Sequence, residues 1–550
     1  MSADESQTTE EAELKGSIEA ILQSKAQKKL LIAGPGTGKT YIFKRLLRLA
    51  TGSPEQHLVL TFINYLKNDL EKNLGGLANV HTLHSYCLGL LFKNPKLREG
   101  LSPEFRCCPG LANLIEKDWT LIEGREPPRF VSEMRGLLDE NHIDFYIKRG
   151  NYYDAVDFDD SVYRAYYGLM SGRDQINHYE LILIDEYQDF NRLEAGLINI
   201  LGNSNPIVIA GDDDQALYSQ LRDASWDYIR SLCNAEDYRV FELPFCMRCP
   251  KVVVDAVGDV IVKAREINKL EGRIDKPYKH YPPKKGADSV KYPKIDNIIT
   301  TVQRKDCNYI GQYIAQEIVK IPGDEIEEAI SEGFPIALVI AANPYRDQII
   351  EKLKINKINV ETRVDTTSDI KRDVGLQTLR MNPLSNLGWR IMLDSDNPDF
   401  LRDVILATRD VNTKLIDVIP DGYREAILSE AILYNPPDPN VDNSGTESEY
   451  LTPYPMVRVT SFEGSKGMSA QRVFIAGIHD GELPHDPVKI RDLEICKFVV
   501  GLTRTRKKCT LIHTRRFGKE YKNPSIFISW IKRERLNSVV VDKLFWIDHK

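Results

Sequence analysis

Three stretches of this sequence carry residue types suited to phosphate chemistry. Gly34-Pro-Gly-Thr-Gly-Lys39-Thr40, preceded by Ala33, is a glycine-rich run that ends in a lysine and a hydroxyl. Pro35, Gly36, Thr37 and Gly38 form a turn whose backbone N–H groups can curl around phosphate oxygens, and the N-terminus of the helical run Tyr41–Leu49 that follows would add positive potential. Lys39 would neutralise the outer phosphates, and the Thr40 hydroxyl would ligate Mg2+. The strict pattern wants glycine where Ala33 sits; the remainder fits. Asp185-Glu186-Tyr-Gln188-Asp189 ends a second apolar run, so Asp185 would hold Mg2+ and Glu186 would orient and deprotonate a water. Gly211-Asp-Asp-Asp-Gln215 ends a third and puts Gln215 where it can sense a terminal phosphate.

Loops of this kind need parallel strands to deliver them to one edge of a sheet. Short apolar runs alternating with helical patterns supply the strands: Leu30–Ala33, Leu58–Leu60, Leu181–Ile184 and Ile207–Ala210 in the first half. Ile336–Ile340, Val457–Val459, Val473–Ala476 and Thr510–Ile512 follow in the second. Continuous apolar strands are those of a sheet covered on both faces, so two α/β domains with parallel sheets are expected. Two stretches lack the rhythm and read as insertions: Leu91 to Tyr153, and a mainly helical one from Val364 to Tyr450 that ends in the polar, proline-rich linker Asn435–Glu449. Lys276 to Lys294 carries six lysines interleaved with Tyr278, Tyr281 and Tyr292. It reads first as a solvated loop and second as a strip gripping a phosphate backbone.

A chain of 550 residues is too long for one core and should form two to four domains. The formal charge of −7 weighs against a passive nucleic-acid coater, which would need a broad basic face. It weighs little against a machine whose basic residues line one channel. No apolar run approaches the roughly 18 residues of a membrane span, and the acidic start, Met1 to Glu13, is unlike an export signal. That start reads as a short disordered tail leading into a helix, with Thr8-x-x-Glu11 as its capping box. A cytoplasmic location and reduced thiols are expected for the nine cysteines. Cys246-x-x-Cys249 has half a zinc spacing but lacks a second pair, and reads as two small buried apolar residues.

The three motifs together resemble motifs I, II and III of UvrD/Rep-like superfamily 1 helicases. The resemblance continues at Thr61-Phe62, at His81-Thr82-Leu-His84-Ser85, and at Arg248 within Leu243–Pro250. It runs on through Ser461–Met468, Val500-Gly-Leu-Thr503-Arg504 and Asn523–Phe527, so it spans nearly the whole chain. It implies an α/β fold of two RecA-like P-loop domains with parallel sheets, each interrupted by a mainly helical insertion. The first domain would take 1–90 and 154–247 around an insertion at 91–153; the second, 248–363 and 451–550 around a reduced insertion at 364–450. ATP and Mg2+ would sit between them, with Tyr41, Met247 and Gly467 also near the nucleotide and Arg248 and Arg504 as arginine fingers. Phe62, Thr82, His84, Tyr218 and Arg222 match positions on or beside a nucleic-acid track, although core packing is an equal reading for Phe62 and Tyr218. The resemblance implies a 3′-to-5′ helicase or translocase on single-stranded DNA, RNA not excluded, acting as a monomer or weak oligomer. The alternative is an ATP-switched clamp that gates a nuclease or a repair or defence protein.

The departures concern base recognition. Ile18 stands where the family has its adenine-reading glutamine, Met247 where it has a stacking tyrosine, and Ser469 where it has a ribose-binding glutamate. Gln23 or Gln27, with Tyr41 stacking on the base, would be the substitutes. Glu463 replaces a track histidine, and Gln220-Leu-Arg222-Asp-Ala224 has an extra residue and no aromatic. The second insertion is shorter than the family's usual one, and no nuclease domain follows Arg504.

Overall fold

The computed structural model describes residues 3–138, 140–281, 291–362, 370–396, 398–435 and 457–548. The first sheet has six parallel strands: β1 (Lys28–Ala33), β2 (His57–Thr61), β3 (Asn79–Thr82), β4 (Leu181–Ile184), β5 (Ile207–Gly211) and β6 (Arg239–Leu243). Their order is β3-β2-β4-β5-β1-β6. Successive side chains of a strand point to opposite faces, and here both faces are dry. Leu30, Ile32, Ile182 and Ile184 enter one core, while Leu31, Ala33, Leu181 and Leu183 enter the other. That is the physical reason these strands read as unbroken apolar runs. Because β4, β5 and β1 are neighbours, the three motif loops leave one edge side by side.

The second sheet has seven parallel strands: β7 (Ile295–Thr300), β8 (Ala337–Ala341), β9 (Val360–Thr362), β10 (Val457–Thr460), β11 (Ala470–Ala476), β12 (Thr505–Thr514) and β13 (Leu536–Val541). Their order is β9-β10-β8-β11-β12-β7-β13. The apolar runs predict β1, β2, β4, β5, β8, β10, β11 and β12 and miss β3, β6, β7, β9 and β13. In β7 the buried polar pair Asp296 and Asn297 interrupts the run; Asp296 pairs with Lys508, and the Asn297 amide N–H donates to Ser538 Oγ (3.1 Å). β6 and β13 are edge strands with exposed polar faces.

The helices of the two insertions share a single core. Ile115, Trp119, Phe130 and Tyr146 from the first pack with Leu376, Trp389, Leu393 and Ile405 from the second. At its centre Asp118 accepts hydrogen bonds from Arg149 (3.0 and 2.6 Å) and from Arg390 (2.8 Å), with all three side chains buried. The second insertion therefore leaves the second sheet in sequence but packs on the insertion of the first.

Two expectations need correction. The N-terminus is helical over Ala3–Gln23, so Thr8 and Glu11 lie inside a helix rather than capping one. The lysine-rich segment is not simply a solvated loop: Lys276 is buried, Lys279 pairs with Glu13, and Lys291 and Tyr292 bond Glu325. Residues 282–290, and most of the expected linker at 436–449, lie outside the described residues. Among the described residues no helix is long and apolar enough to cross a membrane.

Candidate active site and nucleic-acid interface

The glycine-rich loop leaves β1 at the fully buried Ala33 and turns into the helix Lys39–Leu49. Thr37 closes it by donating its hydroxyl to the Gly34 carbonyl (2.9 Å). Gly36 must be glycine for two reasons: its φ of 72° is left-handed, and a Cβ there would lie 2.6 Å from the Arg248 Cβ. The loop lines a cleft of about 260 Å3 together with Asp185, Glu186, Gln215, Arg248, Gly467 and Arg504. Lys39 through Gln215 belong to the first sheet's loops; Gly467 and Arg504 come from the second sheet.

Charges inside this cleft are paired with each other. The Lys39 ammonium binds Glu186 and lies 3.8 Å from Asp185. Glu186 also accepts a bond from Gln188 (2.6 Å) and sits 3.7 Å from the buried Lys466 ammonium, which bonds Asp189 and the Gln215 carbonyl. Burial alone would raise the Glu186 pKa, but the Lys39 and Lys466 ammonium groups outweigh it and hold the carboxyl below its usual range. At Asp185 burial prevails over Lys39 and pushes the pKa up to about 6. Burial, then the neighbouring Arg248 charge, brings Arg504 down to about 10.

Arg504 crosses between the sheets. Its guanidinium donates to Gln215 Oε1 (3.1 Å) and to the carbonyls of Val500 and Met468 (2.9 and 3.2 Å). Arg248 donates to the Thr503 carbonyl (2.7 Å), and its Nε is buried without a hydrogen-bond partner. Tyr41 and Met247 are not among the cleft walls; they are 52% and 49% exposed, and Met247 N–H donates to the Gly36 carbonyl (2.9 Å). Ile18 packs against the first sheet's core, and Ser469 accepts from Arg506 (2.9 Å). Cys246 and Cys249 are free and buried.

Sequence reasoning missed Lys466 and Lys276. Among the described residues, the one group of three metal-type side chains is Asp212, Asp213 and Asp214, and Lys276 sits among them at 2.6, 2.6 and 3.1 Å. Burial would lower the Lys276 pKa, but the carboxylates outweigh it and hold it well above the ordinary lysine value. Asp212 in turn accepts from the Gln215 amide (2.9 Å), so a chain Lys276–Asp212–Gln215–Arg504 runs from the segment joining the sheets to the cleft. Nearby, the Tyr278 hydroxyl donates to the Pro35 carbonyl (3.0 Å). A lysine-rich run holds no hint that one of its members is enclosed.

A second cleft, about 370 Å3, is lined by Phe62, Thr82, His84 and Arg222, and also by Arg135, Phe158 and Asp159, which the motifs did not mark. Thr82 caps the helix Leu83–Lys93 by accepting from the Ser85 N–H (3.2 Å). Arg222 bonds His84 (2.9 Å) and Glu194 (3.3 Å) and lies 4.5 Å above the Phe62 ring. Phe62 follows the core-packing reading: only 2% exposed, its ring is enclosed by Phe190, Tyr218 and Arg222. Tyr218 is absent from these walls and bridges the sheets instead, its hydroxyl donating to the Glu463 carbonyl (3.1 Å).

Residues 17–220 match a family model described as an AAA domain. "DNA helicase II" of Escherichia coli is 24% identical over 93% of this chain and 86% of its own length. "ATP-dependent DNA helicase UvrD1" of Mycobacterium leprae is 22% identical over 90% of this chain and 82% of its own length. The UvrD1 protein of Mycobacterium tuberculosis is 27% identical over a shorter stretch, 44% of this chain, which spans only 38% of that relative.

Proposed function

We infer that this chain is a UvrD/Rep-like superfamily 1 helicase, and from that premise we propose an ATP-driven motor that moves 3′ to 5′ along single-stranded DNA. The observation that carries the proposal is the cleft shared by the two sheets, in which Arg504 of the second reaches Gln215 of the first at 3.1 Å. Triphosphate entering beside the loop would draw Lys39 from Glu186 to the outer phosphates. Glu186, kept ionised by Lys466 and oriented by Gln188, would then accept the proton of the water attacking the terminal phosphate. Arg504 and the unpaired Nε of Arg248 would meet the charge that develops there. Thr40 and Asp185 would hold Mg2+, and Asp185 fits because its Oδ1 is buried with no hydrogen-bond partner. Bound there, Mg2+ supplies positive charge to the phosphate oxygens.

Movement would follow from closure and opening of the cleft, with the strand held at Thr82, His84 and Arg222. A steady-state ATPase assay with and without single strands, beside unwinding of duplexes carrying a 3′ or a 5′ tail, tests the proposal. Stimulated turnover and unwinding from the 3′ tail alone are expected. A rate indifferent to every DNA and RNA offered would remove the chain from the motor class. The second reading, a nucleotide-switched clamp that gates a partner, is favoured by the covered Phe62 ring; it predicts stimulated turnover without unwinding. No relative's name supports a nuclease as that partner.

A further inference from the structure

A larger cleft, about 600 Å3, lies at the seam of the two insertions. One wall holds Arg106 to Asn113 of the first insertion; the facing wall holds Lys371, Val374, Thr378 and Leu387 of the second. Arg135, Phe158 and Asp159 line both this cleft and the one at His84 and Arg222, so the two cavities are neighbours with three side chains in common. A chain-like ligand running from one into the other would pass Phe158, which is 46% exposed.

The charge of the seam suits a phosphate backbone. Arg106 bonds Thr378 Oγ1 (2.9 Å) and the Met381 sulfur (2.8 Å), and among the described residues no carboxylate pairs with it. Lys371 is exposed. The two acids present are already engaged. Asp159 takes a bidentate pair from Arg135 (2.9 and 2.9 Å), and Asp157 accepts from the Phe158 N–H (2.7 Å). Burial also pushes the Asp157 carboxyl up to about 6. Apolar Val131, Val374 and Leu387 leave room for bases between the cations. The Asp118 network and shared core behind this seam hold its two walls together.

We propose that the seam between the insertions is a second binding segment for the same single strand, which passes from the track over Phe158 and is held by Arg106 and Lys371. This rests on the reading of the His84–Arg222 cleft as a nucleic-acid track. The test is fluorescence anisotropy with labelled oligothymidylates stepped from about 4 to about 16 nucleotides at several salt concentrations. Wild type should gain affinity with length. Lys371→Glu, at an exposed side chain, should bind the shortest strands as wild type does and lose several-fold on the longest. Its log–log salt slope on long strands should shrink by about 0.7 for each phosphate that the protein no longer neutralises. Arg106→Gln should show the same pattern, with its thermal unfolding midpoint measured because Arg106 also ties the two walls. ATP turnover without nucleic acid should be unchanged in Lys371→Glu. If Lys371→Glu follows wild type at every length, the seam is not a strand site. If wild type binds no single strand of any length, the track reading itself fails, and that result is distinct.

Discussion

Lys39 and Lys466 share Glu186 in the cleft between the sheets, so in the proposed mechanism the same carboxylate would serve as counter-ion before phosphate arrives and as base afterwards. Lys39→Ala removes the phosphate ligand and should weaken nucleotide binding; Glu186→Gln should retain bound ATP without turning it over. Nucleotide titration beside single-turnover hydrolysis separates the two, and residual turnover in Glu186→Gln comparable to wild type would dismiss Glu186 as base. Arg504→Ala or Arg248→Ala should lower kcat by roughly three orders of magnitude, with little change in affinity, because the contact strengthens only as charge develops. Lys276 touches no phosphate and acts through Asp212 on Gln215. Lys276→Met should lower kcat by roughly a hundredfold, leave the KM for ATP nearly unchanged, and be partly rescued by Lys276→Arg. Equal loss in both variants would reduce Lys276 to a fold anchor. The positions that the resemblance assigns to base recognition offer little to it: Met247 has no polar side-chain group to tell adenine from guanine, and Ser469 is taken up by Arg506. GTP and dATP should therefore support turnover within about two orders of magnitude of ATP. Strict ATP dependence, measured as kcat/KM, would instead point to Tyr41 with Gln23 or Gln27.

The loop between β1 and its helix has the tightest demands of any element in the site. Gly36→Ala adds a Cβ 2.6 Å from that of Arg248 at a left-handed φ, so the loop must move away from the arginine that faces it. Loss of nucleotide binding with an unchanged circular dichroism spectrum is expected; wild-type affinity would mean that the loop tolerates the shift. Glu186 also has positive φ, 55°, at the strand-to-turn junction. That strain is held by the apolar β4 before it and the short helix Tyr187–Asp189 after it.

At the scale of the molecule, each motor sheet sends out an insertion, and the two insertions fuse around Asp118. Asp118→Asn would strand two buried arginines and should cost about 3–5 kcal/mol of stability, read as a fall in the denaturation midpoint. Burial would raise the Asp118 pKa, but Arg390 and Arg149 outweigh it and lower it below the ordinary aspartate value. Its stabilising contribution is therefore full above that ordinary value and is lost as pH falls through the lowered one. The acid limb of wild-type unfolding should lose this component in Asp118→Asn. An unchanged midpoint would mean that the fused insertions are held by their apolar core alone.

The eight apolar strands and the three phosphate motifs were legible in the residue order alone. An enclosed parallel strand is apolar unless distant groups partner its polar side chains, and a phosphate loop must be glycine-rich; where no such partners are used, both demands leave a local trace. The residue order did not determine β7, where Asp296 and Asn297 break the apolar run because their partners, Lys508 and Ser538, lie more than two hundred residues away. Nor did it reveal that Lys276 is buried among aspartates, that Arg222 lies over the Phe62 ring, or that the two insertions share one core. Each of these depends on which distant groups become neighbours. A lysine in water and a lysine among three carboxylates have the same letter, and only the tertiary structure decides which dielectric surrounds it and which charges it meets.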